Sequence, residues 1–200
     1  VLYGLYGFSD IEFFFYLYKT EVYIMNIWHD ISPERITPEK FTSVIEISKG
    51  GKNKYELDKE TGFLRLDRVL YTSTHYPANY GFIPRTYADD KDPLDVLVLC
   101  QEAIIPLTLV QCKPIGVLEM TDGVSFDEKI IAVPTRDPSY NGYTSIHQIP
   151  GHIFDELCNF FEVYKTLEGI QTNVKGVKDR EEALIIISKA IANYKENFGE

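Results

Sequence analysis

The stretch ADDKDPLDVLVL, residues 88–99, sets Asp89, Asp90, Asp92 and Asp95 within seven positions and follows them with apolar strand formers. A solvated turn with that much charge is ordinary. At the mouth of a buried strand it is costly, because converging carboxylates repel each other and resist losing water. Read as extended chain, the run turns Asp90 and Asp92 to one side, and Pro93 bends the path so that Asp95 returns toward them. A hard divalent cation relieves that repulsion, since magnesium and calcium take oxygen ligands. A calcium-sensor loop is excluded: counted from Asp90, position six is Asp95 where Gly is needed, and position twelve is Gln101 where Glu is needed.

A second acidic stretch, MTDGVSFDEK, carries Asp122 and Asp127 on a predicted loop between strands, with Lys129 where the loop re-enters a strand. Alone, it reads as an acidic hairpin loop. Lys54 and Glu56 share one face of an earlier predicted hairpin, and Arg68 ends that hairpin. A barrel rim built this way gathers carboxylates for metals and cations for an anion.

The elements that must hold these residues are strands first and helices last. FTSVIEIS alternates and then breaks at Gly50-Gly51. NKYELDKETGFLRLDRVL reads as a hairpin about Glu60-Thr61-Gly62. LDVLVL, LVQCKPIGVLEM and KIIAVP give three further strands, separated by Pro106 and by Asp122-Gly123. Helical spacing begins only at Gly151, with Ile153, Leu157, Phe160, Phe161 and Tyr164, and returns with Ala183, Leu184, Ile187, Ile191 and Tyr194. Short strands with turn chemistry between them predict a closed or nearly closed barrel with two C-terminal helices packed on it, a mainly β, α+β fold.

Composition narrows the function classes. The 200 residues are 44% hydrophobic, enough for one domain with a substantial core. With 20 Lys+Arg against 30 Asp+Glu the net charge is −10, the wrong sign for a nucleic-acid binder. Cys100, Cys112 and Cys158 are odd in number and lack C-x-x-C spacing, which suits reduced thiols in a cytoplasmic protein. Residues 1–24 stand apart, with nine aromatic residues and no apolar run of membrane-spanning length. They read as an upstream extension before a natural start at Met25, or else as an extra strand or docking arm. Residues 25–200 read as a single domain with no linker.

The motifs match a family in order and nearly in spacing, with Glu46 to Lys54 slightly short through a trimmed loop at Lys49-Gly50-Gly51. Glu46 in VIEIS, Lys54-Tyr55-Glu56, Asp67-Arg68, YPANYGFIP from Tyr76, Asp90-x-Asp92-Pro93-Leu94-Asp95, Asp122…Asp127-x-Lys129 and FFEVYK through Lys165 resemble the soluble family I inorganic pyrophosphatases. The resemblance runs from about Ile31 to Asn197. It implies an OB-like five-stranded barrel and hydrolysis of pyrophosphate to two orthophosphates with Mg2+. By that likeness Asp90, Asp95 and Asp127 hold a first metal and Asp95 bridges to a second. Asp92 acts as general base, Asp122 with Asp127 holds a further magnesium, and Glu56 contacts another through water. Lys54, Arg68, Lys129 and Lys165 bind phosphate oxygens, Tyr80 and Tyr164 donate hydroxyl hydrogen bonds, Glu46 orients a ligand from behind, and Tyr76 lines the cavity. The four histidines, His29, His75, His147 and His152, have no place in the motif. The likeness also implies a homohexamer and no membrane partner.

Two other readings compete. A non-catalytic OB-type module explains the barrel but not the carboxylates. A magnesium-dependent nucleotide phosphohydrolase shares the metals but should carry a Gly-rich phosphate loop, and G-x-x-x-x-G-K-[ST] is absent. Lys91 departs from the family pattern, which has a small or turn-favouring residue there. In an extended segment its side chain should point away from the metals.

Overall fold

A computed structural model describes residues 25–123 and 125–199; the expectations about residues 1–24 lie outside them. The strands are β1 Phe41–Ile47, β2 Asn53–Leu57, β3 Leu64–Val69, β4 Asn79–Phe82, β5 Asp95–Val98, β6 Leu109–Asp122, β7 Ser125–Pro134 and β8 Thr172–Asp179. The helices are α1 Gly151–Val163 and α2 Arg180–Phe198.

Five strands form a ring in the order β1-β4-β5-β7-β6, closed by pairing of β1 with β6. β6 divides its outer edge: residues from Leu109 to Cys112 pair with β1, and those from Gly116 to Asp122 pair with β8. The OB-like barrel with C-terminal helices is therefore present, with two differences from the sequence reading. The predicted hairpin, β2 with β3, forms its own two-stranded sheet, and the ring is completed by β4. The sequence reading gave neither β4 nor β8 as a strand.

β4 fits the ring only because of Gly81. A Cβ there would stand 1.9 Å from the Val44 carbonyl oxygen of β1, far inside contact distance. The central strands read as unbroken apolar runs because both faces are covered. Leu97, Leu118 and Ile131 pack with Phe154, Leu157, Phe160 and Phe161 of α1. Val96, Val98, Ile130 and Ala132 pack with Ala183, Ile187 and Ala190 of α2. Phe154 and Ala190 thus take core places where the sequence pattern put Ile153 and Ile191. Among the described residues no helix is long and apolar enough to cross a membrane.

Candidate active site

On the face that α1 covers, the apolar rows end in charge. Asp95 shares its face of β5 with Leu97, and the parallel register sets it beside Lys129 of β7. Asp127 lies two residues before Lys129, on the same face. Tyr80 of β4 stands opposite Leu97 and so diagonal to Asp95. Strand register alone brings these four side chains together.

Lys129 Nζ donates to Asp95 Oδ2 at 2.7 Å, to Asp127 Oδ1 at 2.8 Å and to Tyr80 Oη at 3.3 Å. The Tyr80 hydroxyl donates to Asp95. Lys129 is only 3% exposed, and its ammonium lies 5.4 and 5.3 Å from the ring centroids of Tyr80 and Phe161. Burial opposes its charge, but Asp95 and Asp127 more than offset that and hold the ammonium well above the usual lysine range. Burial pushes the Asp95 carboxyl up, Lys129 pulls it back and Asp127 pushes it up again. Two carboxylates facing one ammonium leave a surplus of negative charge in a desolvated place.

The end of α1 closes this side. Tyr164 is buried, and Lys165 forms an ion pair with Asp122 while lying 5.3 Å from the Tyr164 ring. Buried Tyr76 packs between Tyr80 and Phe160, with ring centroids 5.4 and 4.8 Å away. Burial raises the phenols of Tyr76, Tyr80 and Tyr164 above the ordinary tyrosine range, so their hydroxyls stay protonated at neutral pH.

The β2–β3 hairpin supplies the second wall. Lys54 sits opposite Arg68, and a bulge inserts Asp67 between their rung and the next. Lys54 pairs with Glu56 and stands 3.8 Å from Asp67, while Arg65 Nη2 donates to Glu56 at 3.1 Å. Burial would raise the Glu56 carboxyl, but Lys54 and Arg65 more than offset it and hold it below the usual range. Arg68 donates from Nε to Glu168 at 3.0 Å and from Nη1 to Asp67 at 2.5 Å. Its buried Nη2 has no hydrogen-bond partner among the described residues.

Glu46 owes its position to another bulge. The β1–β4 register shifts between Ile45 and Ile47, leaving Glu46 as the extra residue. It is 7% exposed, and its Oε1 accepts the Leu57 N–H at 2.7 Å. Burial first, then Asp95, pushes its carboxyl up to about 8 against the pull of the Leu57 bond and Lys54. The folded state then keeps a proton that the unfolded chain has released at its ordinary pKa of about 4.3. Stability from this group is complete below that value and is lost as pH rises toward 8. In EDTA, the melting temperature of the wild type should therefore fall between pH 5 and 8 relative to Glu46→Gln, whose amide oxygen still accepts the Leu57 N–H. A constant difference across that range would mean that Glu46 is ionised in the fold.

The signature loop is a tight turn and not the extended run expected of it. Lys91 has φ 70°, its N–H donates to Ala88 O at 3.0 Å, and Ala88 N–H donates to Asp92 O at 2.8 Å. That left-handed residue is the physical reason a turn-favouring side chain suits position 91. The Lys91 side chain is exposed. Asp90 Oδ1 accepts the Asp92 N–H at 3.0 Å, and its carboxyl is raised by desolvation and by Asp95, Asp92 and Asp127. Asp92 forms an ion pair with Lys59, and exposed Asp89 pairs with Lys189.

Glu46, Lys54, Glu56, Tyr80 and Asp92 line one cavity of about 380 Å³, with Asp95 and Lys129 behind Tyr80 and Arg68 beside Lys54. The carboxylates are not drawn to one point: among the described residues no three Asp, Glu, His or Cys side chains form a metal cage. Their mutual repulsion is relieved instead by separate partners, Lys129, Lys165, Lys54 and Lys59. The sequence reading missed Lys59, Arg65 and Glu168. The first two sit in a charged hairpin that reads as solvated, and Glu168 lies 100 residues from the arginine it holds.

Residues 43–195 match the family model described as inorganic pyrophosphatase. The soluble inorganic pyrophosphatase 2 of Chlamydomonas reinhardtii is 46% identical over 171 residues, covering 86% of this chain and 89% of its own. The inorganic pyrophosphatase of Haloferax volcanii is 40% identical, covering 88% and 99%. The solved inorganic pyrophosphatase of Thermus thermophilus superposes with a TM-score of 0.79 at 38% identity, over 86% of this chain and 99% of that one.

Proposed function

Since this chain belongs to the inorganic pyrophosphatase family and is an inorganic diphosphatase, we propose a magnesium-dependent hydrolysis of pyrophosphate in which Asp92 takes the proton of the attacking water. The observation that carries this reading is the single cavity lined by Asp92, Tyr80, Lys54, Glu56 and Glu46.

Pyrophosphate is polyanionic, so the site must first neutralise it. Arg68, oriented by Glu168 and Asp67, carries a buried Nη2–H with no partner among the described residues, and a small turn of the guanidinium would present it to a phosphate oxygen. Lys54, Lys129 and Lys165 bring point charges, each released from a carboxylate when it turns to phosphate. Tyr80 and Tyr164, kept protonated by burial, donate to phosphate oxygens and orient the leaving group. Asp92, at the lip of the cavity, accepts the water's proton, a role for a carboxylate within hydrogen-bond reach.

The donor set fits a hard divalent cation. It is oxygen only, and the half-buried Asp95 and Asp127 share the single buried ammonium of Lys129, one carboxylate more than there are ammoniums. Asp90, Asp95, Asp122, Asp127 and Glu56 would hold magnesium, with Glu46 and Tyr76 shaping the site behind them. When bound, the cation supplies charge neutralisation and a more acidic water. Residues 25–200 act as one pyrophosphatase domain, working in the cytoplasm as a homohexamer on the strength of family likeness.

The test is phosphate release from pyrophosphate and from ATP, each with magnesium and with EDTA. Release from pyrophosphate with magnesium, lost in EDTA and slight from ATP, is the expected result. Faster release from ATP would favour the nucleotide phosphohydrolase, and no release from pyrophosphate would overturn the reading.

A further inference from the structure

Lys59, at the tip of the β2–β3 hairpin, has no part in the mechanism above, yet it is held from three sides. Asp58 Oδ1 accepts the N–H groups of Glu60 and Thr61 at 3.0 and 2.9 Å, which fixes the turn from which Lys59 projects. Asn26 Nδ2 donates to the Lys59 carbonyl at 3.1 Å. The Lys59 ammonium lies 5.3 Å from the centroid of the Trp28 ring and pairs with Asp92.

Trp28 is itself anchored to the segment that carries Asp92. Its indole N–H donates to Thr86 O at 3.0 Å, and Thr86 Oγ1 accepts the Leu94 N–H at 2.8 Å. The platform under the ammonium and the carboxylate in front of it therefore share one frame.

We infer that Lys59 is a positioning residue for Asp92: seated on Trp28, its ammonium fixes the orientation in which the Asp92 carboxylate meets the attacking water. This rests on the reading of Asp92 as the base. An exposed lysine–aspartate pair by itself does little, because ordering two mobile side chains offsets the attraction. Here the hairpin turn fixes the backbone from which the lysine projects, and the indole face 5.3 Å from the ammonium adds a second attraction that favours the same side-chain placement. Asp92, half exposed at the cavity lip, has no other side-chain partner among the described residues. A base displaced by about 1 Å can cost a reaction up to about a hundredfold.

The experiment compares kcat and KM for pyrophosphate with magnesium in Lys59→Met, Lys59→Arg, Asp92→Asn and the double variant Lys59→Met/Asp92→Asn. Lys59→Met should lower kcat about tenfold with KM changed by less than about twofold, as expected of misplacement and not of lost binding. Lys59→Arg should recover most of the loss. In the Asp92→Asn background Lys59→Met should add nothing, since a residue that acts through another is silent once that other is gone. Trp28 is the chain's only tryptophan, so its emission reports the ammonium without turnover, and it should change in Lys59→Met and in Asp92→Asn. A slow Asp92→Asn variant combined with unchanged kcat in Lys59→Met, or with fully additive losses, overturns this inference alone. A fully active Asp92→Asn variant overturns the base and this inference with it.

Discussion

Asp92→Asn is expected to lower kcat for pyrophosphate about 10²–10⁴-fold, the usual contribution of a general base, while the melting temperature hardly moves. The two effects separate because of where Asp92 stands. Its carboxylate is half exposed and holds no buried group together; its partner is the equally exposed Lys59. Losing such a pair costs about 0–1 kcal/mol. Asparagine keeps the shape and one oxygen acceptor but cannot take up a proton at neutral pH. Steady-state phosphate release and a thermal melt, run in the same buffer, decide the matter. A large loss of stability alongside the loss of rate would make Asp92 a structural residue.

Lys129→Met should do the opposite and strike the fold as well as the rate. Lys129 is the one ammonium between Asp95 and Asp127. Methionine fills most of its space and leaves two carboxylates facing each other in a desolvated pocket. Breaking a buried pair by removing one partner costs about 3–5 kcal/mol, which urea unfolding in EDTA will register as a clear drop in midpoint. Magnesium should then stabilise the variant more than it stabilises the wild type, because binding to the folded state alone shifts the equilibrium toward it. A midpoint close to the wild type in EDTA would show that the pocket is wetter than its burial indicates.

Much of the site was legible because its chemistry is written in residue types with short spacings. Asp95 and Lys129 each open an apolar strand run, and Tyr80, Tyr164 and Lys165 follow from the resemblance. What escaped the sequence was geometry created between distant segments. β4 is four residues long and interrupted by Gly81, so it lacks the alternation that marks a strand; it is one because β1 can approach its glycine. β8 is charged and half exposed, and only the outer edge of β6 makes it a strand. Glu46 and Asp67 reach the site through bulges, and a bulge leaves no mark on hydrophobic periodicity. The signature loop reads as extended because lysine itself does not announce a positive φ at position 91; the turn-favouring residue of the family pattern is the only sign of it.

The parallel pairing of β5 with β7 also has a consequence in time. Asp95 becomes a neighbour of Lys129 only after the chain has passed through β6 and come back. The ring itself shuts only when Phe41 reaches Cys112. Contacts so far apart in the chain form after local ones, because loop closure has to be met first. The β2–β3 and β6–β7 hairpins can form early, but neither contains the pair of strands that builds the charged pocket. A newly made chain with its hairpins in place and its ring open therefore holds every residue of the site and none of its catalysis, and activity arrives with closure.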